Sequence, residues 1–341
     1  YCAVAVQLVI VLAAFLIYRY QVSISEKYQE SIQSAPPAAV ETTVPESEPS
    51  TAPSEDPGLS FSPKASLISD PDNLQITWEI SVNDEIVDSY LSDDAICFEL
   101  DQGYFALPGI ATFRGNHYRD EAGYGTAVIE EEAMEIIWSH PIGSLNKWGG
   151  CGWTGQPLVV RWDKITREMM NLHENKKNKN DLVEVIYATL DGYIHFYDLE
   201  DGSETRDAIN IGMNFKGTGS LDPRGYPLLY VGAGLYVNGA APRMYIINLI
   251  DCTVMFERGN SEPYTKRSWI AFDSSPLVDV NTDTLIWPGE TGLLYTFKLN
   301  TEYDKNAGTL TVAPEAPVMT RYTTNTGNTI GFESRELYLH R

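Results

Sequence analysis

The sequence predicts an all-β chain. Three observations carry this: a β-unit that recurs about every fifty residues, strand-type alternation between turns, and no helical periodicity after residue 20. Tyr187-Ala-Thr-Leu-Asp-Gly192-Tyr-Ile-His-Phe-Tyr-Asp-Leu199 lies over Trp287-Pro-Gly-Glu-Thr-Gly292-Leu-Leu-Tyr-Thr-Phe-Lys-Leu299 at a constant offset of 100. Met244 to Leu249 falls midway, with Ile247 and Leu249 fifty residues from both partners. A Pro-led apolar step recurs at Gly155-Gln-Pro157-Leu158, Gly225-Tyr-Pro227-Leu228 and Ser274-Ser-Pro276-Leu277.

Each unit reads as an apolar strand, a turn, a second strand, a Gly-containing turn, a third strand and a fourth. Four short strands per 40–50 residues are the signature of a β-propeller blade. Units fall at about 138–206, 209–258 and 269–313, and a fourth is expected to begin near Thr320, where Gly331-Phe332-Glu333-Ser334 resembles Phe272-Asp273-Ser274-Ser275. Residues 111–341 are therefore expected to form an incomplete β-propeller of about three and a half four-stranded blades, a fragment of a closed ring of about four to eight. The step from Pro157 to Pro227 is 70 residues, and its surplus, 161–182, reads as a loop insertion. Its Lys176-Lys177-Asn178-Lys179 cluster reads as a solvated loop tip rather than a docking spot. Residues 73–110, with alternation on both sides of Asn83-Asp84-Glu85, are expected to form a β-hairpin subdomain packed on the blades.

The N-terminal part differs in kind. Residues 1–18 hold no charge and are apolar all round; as a helix they span ~27 Å, close to a bilayer's hydrocarbon thickness. Tyr18-Arg19-Tyr20 supplies an interfacial edge, and no small-x-small cleavage site follows, so 1–20 is expected to be an uncleaved transmembrane anchor rather than a cleaved signal. Residues 21–72 carry nine acids against two bases and are rich in Pro, Ser, Thr and Glu; they read as a disordered acidic linker. The acidic part behind the anchor is expected on the extracytoplasmic side of the plasma membrane, in a single-pass arrangement. A formal charge of −23 excludes nucleic acid as a partner, because phosphate contact needs clustered Lys and Arg. Four cysteines are too few for a disulfide scaffold, and the pairing of Cys151 with Cys97 or Cys252 stays open.

Few residues point to chemistry. Asp279-Val-Asn281-Thr-Asp283 is the best metal candidate, with oxygen ligands at alternate positions of a tight loop, followed by Glu290. Thr284 stands where a Ca²⁺ loop needs Gly, and a hairpin turn closed by Asx side chains explains the segment without a metal. Trp148-Gly149-Gly150-Cys151-Gly152-Trp153 is unusual: Trp148 and Trp153 could present a stacking platform for a sugar or peptide, or fill gaps between blades. The five histidines show no ligand spacing, and His195, in register with Tyr245 and Tyr295, reads as a packing position. Gly217-Thr-Gly219-Ser220 lacks the Lys and helix of a phosphate loop.

Thr112-Phe113-Arg114-Gly115-Asn116, Trp138 at the opening of a unit, and Tyr187 to Leu199 resemble the entry motif and repeat of the pyrroloquinoline-quinone-like propeller proteins, in their membrane-anchored Gram-positive form. The resemblance covers 109–334. It implies either a quinoprotein dehydrogenase, with a vicinal Cys-Cys pair, Ca²⁺ and an Asp base, or a non-enzymatic propeller. Cysteines at 2, 97, 151 and 252 supply no vicinal pair. The expected function is a non-catalytic scaffold that contacts an envelope protein or a cell-wall glycan, with no cofactor expected. The alternative is an oxidoreductase dependent on pyrroloquinoline quinone or Ca²⁺, with its site in blades outside this chain.

Overall fold

The computed structural model describes residues 76–323, apart from 94, 99–102, 131–132, 153, 260–263, 266 and 268–269. The expected anchor at 1–20, the linker at 21–72 and the motif at 331–334 lie outside the described residues. Nineteen strands are described: β1 (Thr77–Val82), β2 (Glu85–Val87), β3 (Gly109–Ile110), β4 (Ser144–Leu145), β5 (Trp148–Gly149), β6 (Leu158–Val160), β7 (Glu184–Ala188), β8 (Tyr193–Asp198), β9 (Ile209–Asn210), β10 (Ser220–Leu221), β11 (Leu228–Gly232), β12 (Arg243–Asn248), β13 (Thr253–Gly259), β14 (Leu277–Asp279), β15 (Thr284–Pro288), β16 (Leu293–Lys298), β17 (Glu302–Asp304), β18 (Thr309–Thr311) and β19 (Val318–Thr323). Three antiparallel sheets hold most of them. The first runs β3-β6-β7-β8-β9, the second β10-β11-β12-β13, and the third β14-β15-β16-β19-β1-β2. β4-β5 and β17-β18 are separate hairpins.

The sheets stack face to face because their strands alternate. In β11, Leu229 and Val231 point into one apolar cluster while Leu228 and Tyr230 point into another. In β12, Tyr245 and Ile247 join the first cluster, and Met244 and Ile246 the second. The first cluster is completed by Leu158, Ile186, Ile194 and Phe196 of the first sheet. The second is completed by Val278, Leu285, Trp287, Tyr295 and Phe297 of the third. The middle sheet is thus buried on both faces, and each large apolar side chain so buried stabilises the stack by roughly 1.5–3 kcal/mol.

The fifty-residue period is visible in the hydrogen bonds. Leu199, Leu249 and Leu299 each donate their amide to the carbonyl that precedes the second strand of their own meander: Val183 at 2.9 Å, Pro227 at 2.8 Å and Asp283 at 2.9 Å. Gly192 and Gly292 close the same turn with φ of 88° and 85°, a conformation open to glycine without steric cost. Each turn is bracketed by one bond, Thr189 N to Tyr193 O and Gly289 N to Leu293 O. The connecting segments are stitched to the sheets by a second recurring pair. Phe215 donates to Thr189 O and Phe272 to Ala233 O, while Leu190, Gly234 and Glu290 donate to Gly150, Asn214 and Ala271.

Several expectations are corrected. Pro227 leads β11, the counterpart of β7 and β15, whereas Pro157 and Pro276 lead β6 and β14, the strands that pair with β7 and β15; the true counterpart of β6 is β10, which pairs with β11. Thr320 does not open a fourth unit. It lies in β19, opposite Leu294, and so completes the third sheet after the β17-β18 hairpin intervenes. The 73–110 hairpin forms around Asn83 and Asp84, both at positive φ, but it is not a separate body: β1 pairs with β19 and extends the third sheet. The 161–182 insertion contains two short helices, α1 (Lys164–Met169) and α2 (Glu174–Lys177). Asp163 caps α1 by accepting from Thr166 N at 3.2 Å. Nor is the Lys176–Lys179 cluster a solvated tip. Lys176 is buried and 2.6 Å from Asp198, which Lys179 also reaches at 2.7 Å.

Candidate functional site

Along β8, Tyr193, His195 and Tyr197 share the face turned away from the first apolar cluster. Tyr187 of β7 lies opposite His195. The rings form a row. His195 and Tyr197 are 5.8 Å apart and nearly parallel, and Tyr197 stacks on His140 at 4.3 Å. Trp138 stands 5.9 Å from His140 and 6.1 Å from Tyr197. The segment carrying Trp138 and His140 is tied down by Trp138 Nε1 to Leu199 O at 2.9 Å and by His140 Nε2 against Gly202 O at 2.5 Å. Asp191 orients His195, Oδ2 to Nε2 at 3.1 Å, while its Oδ1 accepts from Thr189 Oγ1 and Tyr193 N.

Burial, then the neighbouring Cys151, pushes the Tyr187 phenol up to about 12. Burial, followed by Glu204, Asp191 and Cys151, raises Tyr197. Both phenols therefore stay protonated at neutral pH. Its place in the repeat is informative. Tyr245 and Tyr295, fifty and one hundred residues beyond His195, are buried against the preceding sheet. His195 holds the same position on the first sheet of the stack, with 15 % of its side chain exposed.

The side chains of the predicted metal ligands Asp279, Asn281 and Asp283 all bond to protein groups. Asp279 is buried at the β14–β15 turn, where Oδ2 accepts from Thr282 Oγ1 at 2.5 Å and Oδ1 from Asn281 N at 3.4 Å. Asp283, at a φ of 51°, accepts from Arg224 at 2.6 Å and from Thr301 N at 2.7 Å. Asn281 turns its amide to Cys97 O. Each carboxylate is engaged by protein donors, and no group of three or more His, Cys, Asp or Glu able to hold a metal ion occurs among the described residues. The segment is an Asx-closed hairpin turn.

Trp148 is half-buried in the β4-β5 hairpin, with Lys147 Nζ 5.2 Å from its ring centre. Trp153 lies outside the described residues. The intervening glycines have a packing role: a Cβ on Gly152 would meet Lys216 O at 2.2 Å, and one on Gly149 would meet Ser144 Cβ at 2.9 Å. Cys97, Cys151 and Cys252 are free thiols.

Among the described residues, cavities adjoin the third sheet. One of about 70 Å³ is walled by Phe98, Tyr104, His117 and the Val278–Asn281 turn. His117 is buried, its two ring nitrogens have no hydrogen-bond partner, and burial pushes its pKa down against the opposing pull of Asp120. A cleft of about 430 Å³ lies between Tyr90, Ser92, Asp93 and Ile96 on one side and the outer face of the third sheet on the other, where Thr284, Thr296, Lys298 and Thr320 reach it. Sequence reasoning missed both. The signal for the cleft was a Thr at 296, where the repeat has Phe196 and Ile246.

No protein-family model matches the chain, and no curated protein matches it. Among solved structures, the crystal structure of BamB from Moraxella catarrhalis aligns at 10% identity over 58% of this chain and 76% of that one, with a TM-score of 0.19.

Proposed function

We propose that this protein is a non-catalytic, extracytoplasmic scaffold of the β-propeller kind that binds another envelope component, protein or glycan, and is tethered by residues 1–20 to the plasma membrane. The stacking of three antiparallel sheets through two apolar layers, with one amide bond repeated at a fifty-residue period and one glycine turn repeated at a hundred, supports the propeller reading. The tether and its orientation rest on the sequence alone. The observation that carries the interaction role is the His140–Tyr197–His195 row: it occupies the position that is an inter-sheet contact elsewhere in the stack, and here presents rings beside partly exposed imidazole. Rigid aromatic surfaces of this kind bring large contact area at low entropic cost.

The test uses the full chain in its native membrane, with a photo-crosslinking residue at His195 and, as control, at the exposed Asp304 of β17. A partner captured from 195 and not from 304 supports the scaffold. Equal yields from both positions overturn it. Reduction of a redox dye on addition of pyrroloquinoline quinone, Ca²⁺ and an alcohol or sugar would favour the oxidoreductase alternative instead.

A further inference from the structure

The third sheet breaks the packing rule of the other two, and the break has a chemical character. In the first and second sheets the face turned toward the following sheet carries Phe196 and Ile246, each 1 % exposed. Their counterpart in the third sheet is Thr296, which is half-buried. One step further along, Asp198 and Asn248 are replaced by Lys298. The inner part of this face stays apolar, with Leu277 and Ile286 buried, but outward it becomes Thr284, Thr296, Lys298 and Thr320.

The polar part of the face is held in place. Thr296 Oγ1 donates to Val318 O at 3.2 Å, and Lys298 Nζ donates to Thr282 O at 2.6 Å, which leaves hydroxyl lone pairs and ammonium protons for a ligand. The cleft of about 430 Å³ lies over these residues, within the usual size range of small-ligand sites. Tyr90, 47 % exposed, stands on its far wall with Ser92 and Asp93. A second aromatic element continues the same face. Trp78 lies opposite Tyr322 and two residues from Ile80, which lines the cleft, so the indole and phenol are cross-strand neighbours beside the opening. Trp78 is 62 % exposed, an unusual place for so large an apolar ring.

We propose that this face binds a short, uncharged or zwitterionic oligosaccharide. The sugar's C–H faces would lie on Trp78 and Tyr90, and its hydroxyls would pair with Thr296, Thr320, Asp93 and Lys298. Aromatic platforms beside a hydroxyl-rich cleft suit a molecule that is apolar on one side of each ring and polar at its rim. An amphipathic helix would need an apolar groove, which the Thr and Lys side chains deny. A polyanion is disfavoured by Asp93 and Glu315 in the cleft and by the chain's −23 charge. This inference deepens the scaffold reading, on which it rests, by naming one ligand class.

The test titrates the full chain with triacetylchitotriose and, separately, with cellotriose, reading tryptophan fluorescence and heat. Saturable binding of either sugar in the millimolar range or tighter is expected. Trp78→Ala should weaken it at least ~10-fold. Thr296→Phe places in the cleft the residue that the first sheet carries at this position, and should abolish binding while leaving the thermal midpoint within a few degrees. The inference is overturned if neither sugar titrates, if both variants bind as the parent does, or if Trp148→Ala removes binding while Trp78→Ala does not. Crosslinking from 195 reports on the scaffold separately: a protein partner captured there, with no sugar bound, would retain the scaffold and discard the glycan cleft.

Discussion

Arg206→Met should be among the most damaging single changes in the stack. Arg206 and Glu184 are both fully buried, and their closest contact is 2.6 Å. Glu184 Oε2 accepts from Arg206 Nη2 at 2.6 Å and Trp162 Nε1 at 2.8 Å; Oε1 accepts from Arg206 Nε at 3.0 Å and Thr205 Oγ1 at 2.5 Å. Arg206 Nη1 reaches across to Leu249 O of the second sheet at 2.6 Å, and the guanidinium lies 4.6 Å over the Phe196 ring. The substitution keeps the aliphatic volume but leaves a buried carboxylate facing two neutral donors and an orphaned carbonyl on the neighbouring sheet. Removing one member of a buried pair costs about 3–5 kcal/mol, a large fraction of the ~5–15 kcal/mol that holds a domain folded. Glu184→Leu alone should cost a similar amount, because it strands the guanidinium. The double variant should be less destabilised than the sum of the two, since no charge is left buried without a counter-charge. Urea unfolding followed by tryptophan fluorescence, with the slope m compared across all four proteins, measures each corner of the cycle. A cost below ~1 kcal/mol for Arg206→Met, or strict additivity in the double variant, would refute the claim that this pair binds two sheets together.

Two further predictions follow from named contacts. Gly217→Ala should destabilise by at least ~1–3 kcal/mol, because the new Cβ would sit 1.9 Å from the Asp273 carbonyl where two connecting segments meet. Gly123→Ala, with nothing within 4 Å, should stay within ~0.5 kcal/mol in the same urea series. Acid sensitivity should centre on Asp198. Burial alone would raise its pKa, but hydrogen bonds from Lys176 and Lys179 outweigh this and hold the carboxyl below its usual range. Its folded pKa therefore lies below the unfolded value of ~3.9, so its contribution is complete above that pH and is lost as pH falls through the folded value. Lys176→Met should lower the thermal midpoint at pH 7, and the gap to the parent should narrow below about pH 3.9; a gap independent of pH would refute the assignment.

The strands that were legible in the sequence are those whose side chains alternate over five or six residues. β7, β8, β12, β15 and β16 fall at the predicted offsets because each fills an apolar layer on at least one face, and only an apolar residue fits there. The short inner strands were not legible. β10 is two residues long, so it carries no period, and the Pro-led step at 227 was assigned to the wrong strand for that reason. β19 was mistaken for a new unit because an exposed hairpin, β17-β18, separates it from β16 in the chain, and pairing across such an insertion leaves no local trace. The Lys176–Lys179 cluster misled in another way. A run of like charge ordinarily faces solvent, and only tertiary contact with Asp198 and Glu200 reveals that these amines neutralise acids at the end of β8.

The candidate sites divide along the same line. Asp279, Asn281 and Asp283 drew attention because oxygen ligands at alternate positions suit a cation, yet Asp279 accepts from Thr282 within its own hairpin and Asp283 from Arg224 and Thr301 outside it, and sequence spacing cannot tell such protein donors from a cation. The cleft on the third sheet was within reach of the repeat that fixed the strands. Once Tyr193–Asp198, Arg243–Asn248 and Leu293–Lys298 are superposed, position 296 is the point at which a core aromatic and a core aliphatic become a hydroxyl. A periodic sequence sets an apolar expectation at every interior position, and Thr296 departs from it. Thr296→Phe is accordingly the most discriminating substitution in the chain. If the face is packing surface, the change is neutral or stabilising and nothing is lost; if it is a binding surface, the fold is unaffected and a ligand is excluded.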